Sequence, residues 1–192
     1  MKHLYLISIF LFVFTIQTFT QCPTNILMNG SFTCEKGEDK HGPEWNAGST
    51  PDVNDVNGEV QTSSGYSWIN KPMKSRDGGT WQNLYSNREY LEQTIKLNPG
   101  QQYTLQFEYA SMGIKADENY RFDKPVGIQV YIDDNLVFET KDDKTPYTWE
   151  MACYVFVAKK SSTTIRFSAS DEQYVGIDGV CLVIGNGCNR IP

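Results

Sequence analysis

The sequence predicts an all-β fold, a sandwich or barrel of antiparallel strands, on three observations. Apolar and polar residues alternate in many short runs. Gly, Pro, Asn and Asp separate those runs. No stretch carries a convincing helical period. In chain order, a short apolar segment opens the fold at Asn29–Phe32 (Asn-Gly-Ser-Phe), where Gly30 permits a bend. Asn29-Gly30-Ser31 is formally a glycosylation sequon, but its place in an apparent first strand gives it a structural reading. Asn87–Lys96 is the nearest approach to a helix and reads better as a strand. Asn98-Pro99-Gly100 has the Pro-Gly pair of a type II turn, and beyond it Tyr103, Leu105, Phe107 and Tyr109 share one strand face. Ile128, Val130 and Ile132 repeat the pattern. Asp133-Asp134-Asn135 then marks a tight hairpin into Leu136–Thr140. Val155 with Val157, and Ile165 with Phe167 and Ala169, complete the series before a closing segment, Tyr174–Val180. A short apolar strand at each end implies a sandwich closed by its own termini.

Export bounds the chemistry. Lys2 and His3 precede an apolar run, Leu4–Phe14, and a polar stretch, Thr15–Gln21, suited to cleavage, which is the pattern of a secretory signal peptide. The run is short of the roughly 20 apolar residues that span a bilayer, and no later run reaches that length, so no transmembrane segment is expected. Residues 1–21 are assigned to the signal and residues 22–192 to one domain, secreted or at a cell surface. Without Lys2 the mature chain carries 16 basic against 23 acidic residues, a net charge of −7. Such a balance argues against nucleic acid as a partner.

Five cysteines lie in the mature part: Cys22, Cys34, Cys153, Cys181 and Cys188. In an exported chain disulfides are the default, and no CxxC pair suggests zinc. If the first and last strands are antiparallel neighbours, Cys22 before one faces Cys188 after the other, and a bond there would staple the termini. The rival is a lipoprotein acylated at Cys22, although the preceding Phe-Thr-Gln departs from the usual acylation motif. Cys34, Cys153 and Cys181 stay unassigned, with one cysteine left over.

The opening Asn-Gly-Ser-Phe, the Leu97–Phe107 turn and strand, and the closing Ile177-Asp-Gly-Val180 resemble, in that order, the galactose-binding-like jelly rolls. The likeness is to the carbohydrate-binding modules that open with NGxFE and close with IDxV, and it covers roughly Asn25–Ile184. It implies a jelly-roll β-sandwich of two antiparallel sheets. It also implies a structural Ca²⁺ between the end of the first strand and the closing acid, here Asp178. Thr33 stands where the family pattern has Glu, so the second ligand would be Glu35, two residues on. As to function, the resemblance implies a polysaccharide or glycan as partner.

Glu35–Ser86 is rich in Gly, Asn, Asp and Ser, yet holds Trp45, Tyr66, Trp68, Trp81 and Tyr85. Binding residues concentrate on such loops. Flat aromatic rings suit the C–H faces of sugars, and carboxylates suit their hydroxyls. Trp68, Asp77, Trp81 and Tyr85 are therefore the candidate ligand contacts, against the simpler reading that these rings are core. Catalysis has little support. The mature chain has one histidine, His41, and neither a Gly-x-Ser-x-Gly elbow nor a His-Glu-x-x-His helix. The sequence thus points to a secreted, non-catalytic carbohydrate-binding domain. The alternatives are a structural or adhesive surface protein on the same scaffold and a carbohydrate-active enzyme using two of the many acids.

Overall fold

The computed structural model describes residues 22, 24–32, 44–47, 52–54, 60–61, 81–85, 89–116, 119–121, 127–140, 148–170 and 174–188. Its regular elements are all strands, arranged in two antiparallel sheets. One sheet runs β1 (Asn46–Ala47), β5 (Tyr90–Lys96), β11 (Ser162–Ala169), β8 (Ile128–Ile132) and β9 (Asn135–Glu139). The other, of seven strands, contains β10 (Glu150–Val157), β6 (Gln102–Ala116), β12 (Tyr174–Ile184), β4 (Trp81–Tyr85), β2 (Asp52–Asn54) and β3 (Val60–Gln61), and β7 (Asn119–Arg121) pairs with β6. From β4 onwards the chain changes sheet at every connection except the β6–β7 and β8–β9 hairpins. This alternation is the jelly-roll arrangement.

Turn chemistry accounts for the sharp corners. Asp133 and Asp134 both hold positive φ, 51° and 63°, as a two-residue type I′ hairpin requires. Asp133 Oδ1 also accepts the Thr164 N–H at 3.0 Å, tying the hairpin to β11. Gly100, at φ 81°, supplies the left-handed position of the type II turn after Pro99. The Gln101 N–H closes that turn on the Asn98 carbonyl at 3.1 Å.

Tyr103, Leu105, Phe107 and Tyr109 point inward from β6, as their spacing predicted, and meet Ile165, Phe167 and Ala169 of β11 and Ile128 and Val130 of β8. Phe107 packs edge-on against Phe167 across the two sheets (centroids 5.3 Å apart) and against Phe138 of β9 (5.6 Å). Trp45 continues this aromatic chain from Phe167 (6.2 Å) to Phe32 (5.3 Å). On β10 Val155 and Val157 share one face, as their spacing predicts, but it is the outer one. Val155 pairs with Thr104 and points outward, and Val157 is exposed, while Ala152 and Phe156 pack on the core. An edge strand leaves apolar side chains on both faces, so alternation alone could not say which face is buried.

The opening segment does border the last strand, but not as a strand. β4 pairs with β12 only as far as Ile177, and beyond it the edge of β12 is taken by residues 25–30. Ile26 N–H donates to Leu182 O (2.9 Å) and Val180 N–H to Gly30 O (2.9 Å). Between these, the Asn25 side chain stands in for backbone: Nδ2 donates to Val180 O and Oδ1 accepts the Leu182 N–H, both at 2.8 Å. Gln93, buried on β5, clamps the other side of the segment. Its Oε1 accepts the Met28 N–H (2.9 Å) and its Nε2 donates to Met28 O (3.0 Å). Phe32 adopts a left-handed φ of 49°, costly for a residue with a Cβ, with its ring wholly buried against Trp45.

This path changes the disulfides. Cys22 pairs with Cys181, and Cys188 with Cys153, not Cys22 with Cys188. A turn, with Asn25 N–H donating to Cys22 O, folds Cys22 back onto β12. After β12 the chain bends at Gly185 (φ 91°) and crosses β6 towards β10. Thr104 holds the tail there, donating to the Gly185 carbonyl and accepting the Gly187 N–H. Cys34 lies outside the described residues. Peptide mapping without reduction should therefore recover the Cys22–Cys181 and Cys153–Cys188 pairs. The chain-entropy model gives their loops about 5 and about 4 kcal/mol.

Gly30 is set by a close approach: a Cβ there would lie 1.9 Å from Val180 O. Gly30→Ala should lower the melting temperature by the equivalent of roughly 1–3 kcal/mol, as overpacking does. Melting equal to wild type would show that the segment does not sit against β12.

Candidate functional site

The outward face of the seven-stranded sheet is built in rows that its register fixes. Cys153, Gln106 and Cys181 form one row across β10, β6 and β12, and Met151, Glu108 and Asp178 form the next. In a third, Ala110 of β6 sits beside Gly176 of β12 and Asn83 of β4. The Cys22–Cys181 and Cys153–Cys188 bonds lie along the first row, so what they leave is the area from Glu108 and Asp178 to Gly176.

Here the two central strands carry small residues and the flanks carry indoles. Trp81 comes from β4, and Trp149 immediately precedes β10. They meet edge-on, centroids 5.7 Å apart and planes at 85°. Gly176 makes room for both: a Cβ there would lie 3.0 Å from the Trp81 ring and 3.2 Å from that of Trp149. Trp81 is 0% exposed yet lies outside the core cluster, whereas Trp149 is half-buried. The first indole is a buried buttress; the second offers a fixed, partly exposed surface.

Beside them lie two buried carboxylates, Glu108 (2% exposed) and Asp178 (0%), cross-strand neighbours in the register. A β-bulge between Asp178 and Cys181 turns β12 here. Gly179 takes the left-handed position (φ 56°), and its N–H donates to Asp178 Oδ1 at 2.8 Å. A Cβ on Gly179 would sit 3.7 Å from Glu108 Oε2, so both acids line the same corner.

Of the residues chosen from the sequence, Trp81 and Asp178 are placed here, but neither reaches solvent. Trp81 meets Trp149 edge-on from its buried position. Tyr85 ends β4 opposite Tyr174, described in backbone only. Trp68, Asp77 and Glu35 lie outside the described residues. Among the described residues no three His, Cys, Asp or Glu side chains gather into a metal site, so Asp178 is the only calcium ligand candidate placed. Trp149, Glu108 and Gly176 were missed. Trp149 lies far from the aromatic-rich loop in sequence, and only the register of β6, β10 and β12 brings the three together.

No family model matches the sequence, and no curated protein matches it. Solved structures do. A family 61 carbohydrate-binding module in complex with beta-1,4-galactotriose aligns with a TM-score of 0.51 at 17% identity, over 84% of this chain and 99% of that one. The CBM22-1 xylan-binding domain from Paenibacillus barcinonensis Xyn10C gives 0.47 at 9%, over 83% and 94%. A cyclase from Fischerella sp. TAU gives 0.47 at 16%, over 74% and 85%. The jelly-roll fold is thus shared with the family 61 module, as the sequence motifs implied.

The two indoles should behave differently on truncation. Trp81→Ala removes a fully buried ring and should cost about 3–5 kcal/mol of stability. Trp149→Ala should cost well under half of that. Equal losses, measured by thermal or urea unfolding, would contradict the division into buttress and surface.

Proposed function

We propose that this chain is an exported, non-catalytic glycan-binding domain, with the Trp149 shelf as a contact surface for sugar. One observation carries the reading: a partly exposed indole is locked on a buried one, over a floor kept low by Ala110 and Gly176. A rigid aromatic face loses little entropy on binding, which favours stacking on the apolar side of a sugar ring. The shared fold with a sugar-binding module supports the reading as analogy only, and the two disulfides support an oxidising compartment. Among the described residues no helix is long and apolar enough to cross a membrane.

Burial of Trp45 and Trp81 favours a second reading, a structural or adhesive surface protein. A glycan array followed by titration separates the two. The expected outcome is binding that Trp149→Ala weakens at least tenfold, about 1.4 kcal/mol, with an unchanged circular dichroism spectrum. A protein that binds no glycan is the structural one.

A structural calcium ion near Asp178 is part of the proposal, supported by the position of that acid where the opening segment meets β12. An ion that binds only the folded state stabilises it by mass action. Calcium should then raise the melting temperature and EDTA lower it, with the difference gone in Asp178→Ala. Identical melting in calcium and EDTA removes the ion.

A further inference from the structure

In an Asn-Gly dipeptide a side-chain carboxamide lies next to an unhindered backbone nitrogen, and the chain contains three such pairs. Asn29–Gly30 and Asn186–Gly187 are among the described residues, and Asn57–Gly58 lies outside them. In the first pair the fold holds both residues. Asn29 Nδ2 donates to Glu44 Oε2 at 3.2 Å, and the Asn29 carbonyl accepts the Phe32 N–H and the Trp45 indole N–H. Gly30 is buried, with no room for a Cβ beside Val180 O.

The second pair is arranged differently. Asn186 is exposed, and among the described residues its side chain makes no hydrogen bond. The residues on either side of it are fixed. Gly185 N–H donates to Gln102 O at 2.8 Å, and the Gly185 carbonyl accepts the Thr104 hydroxyl. Gly187 N–H donates to Thr104 Oγ1 at 2.8 Å, and Gln106 Nε2 donates to Gly187 O at 3.3 Å. Cys188 is bonded to Cys153. A carboxamide without a partner thus stands beside a nitrogen whose place is set, an arrangement that favours reaction within the chain.

The fold gives no reason for glycine at Gly187. Gly185 needs one, at φ 91°. Gly187 has no positive φ, and a Cβ there would meet Val183 and Thr104 at 3.6 and 3.7 Å, ordinary contact distances. A side chain would fit. What it would obstruct is the approach of the Asn186 carboxamide to the Gly187 nitrogen.

We propose that Asn186–Gly187 is a site of spontaneous deamidation and isoaspartate formation, restrained by Thr104. The Gly187 nitrogen, its proton lost to hydroxide or a buffer base, attacks Cγ of Asn186. The new C–N bond closes a cyclic imide, the Cγ–Nδ2 bond breaks, and Nδ2 takes up a proton and leaves as ammonia. Water then opens the imide. Opening at Cγ gives aspartate, and opening at the main-chain carbonyl gives isoaspartate, whose backbone runs through Cβ. The net change is amide and water to carboxylate and ammonium, with no oxidant or metal involved.

Thr104 is the restraint because it is wholly buried. The Gly187 proton that it accepts is screened from base until this hydrogen bond opens locally. In the isoaspartate product the longer backbone and the new charge pull Gly187 away from Thr104, beside Cys188. The tail that crosses β6 then loosens as the protein ages. None of this depends on the glycan-binding reading.

The experiment holds the native protein in neutral buffer and follows Asn29 and Asn186 by peptide mapping that separates asparagine, aspartate and isoaspartate. The expected result is steady conversion at Asn186, mainly to isoaspartate, with Asn29 intact. Gly187→Ala should keep the wild-type melting temperature and slow the conversion about tenfold, the effect of a modest addition to the barrier. Thr104→Val should speed it several-fold by releasing the Gly187 N–H, and Gly187→Ala keeps the test decisive if that variant fails to fold. Wild type unfolded in urea supplies the unrestrained rate. Asn186 that stays intact in the native protein while the unfolded chain converts overturns the proposal. Conversion at Asn29 as fast as at Asn186, or an unchanged rate in Gly187→Ala, overturns it as well. An unchanged rate in folded Thr104→Val overturns the restraint.

Discussion

The fold depends on how residues 25–32, which are not a strand, are held against one. β12 needs a partner along its whole length, and β4 supplies one only to Ile177. The remaining edge would expose unpaired backbone groups inside a sandwich, where each costs free energy. Two side-chain amides resolve this: Asn25 reproduces the donor and acceptor of a strand residue towards Val180 and Leu182, and Gln93 does the same from the opposite sheet towards Met28. An amide is the side chain that copies a peptide group, with a donor and an acceptor in one plane. Trp45 adds a third tie, its Nε1–H donating to Asn29 O at 2.9 Å while its ring joins the core. The segment is thus bonded to both sheets at once, and the sandwich is closed at that edge without a regular strand.

That closure shapes the surface where binding is proposed. Gly30 lies against Val180 O, and the β12 bulge beginning at Asp178 lies just beyond. The bulge turns Asp178 and Gly179 to the corner beside Glu108, next to the two indoles. Meanwhile the Cys22–Cys181 and Cys153–Cys188 bonds lie on the same sheet face. One side of that face therefore carries the disulfides and the other Trp149. The opposite face, outside β5, β11 and β8, carries no disulfide among the described residues.

Alternation along β6, β8 and β11, the type II turn at Gly100 and the Asp133–Asp134 hairpin were legible because they are local: each follows from the steric preferences of a few consecutive residues. The opening and closing motifs placed the two ends side by side, and the structure keeps them there. What the sequence hid depends on register. Cys22 reaches Cys181 because of a turn at Asn25 and the exact phase of residues 26–30 on β12, and neither has a sequence signature. Asn25 and Gln93 look like ordinary polar residues until the backbone groups they satisfy are known. Trp81 follows a Gly-rich stretch of sequence, yet it sits in a strand and is buried. Trp149 stands alone in sequence, and what gives it a role is Gly176, a residue 27 positions away.

For the proposed contact surface, burial of one indole and exposure of the other need not compete. An exposed tryptophan on a flexible support would lose orientational freedom on meeting a sugar, and part of the stacking energy with it. Placing a second, fully buried tryptophan beneath it transfers that ordering cost to folding, where the core offsets it. The glycine at 176 is the smallest change that permits the pair, since any side chain there meets both rings. Gly176→Val should therefore displace Trp149 first, because it is the ring held on fewer sides, while Trp81 keeps its buried place. The readout is tryptophan fluorescence together with glycan titration. The emission should move towards that of a more solvated indole, and any glycan affinity that depends on Trp149 should fall with little loss of melting temperature. A large drop in melting temperature with no change in emission would instead mean that the glycine serves the packing of Trp81 alone, and that Trp149 owes its position to the start of β10.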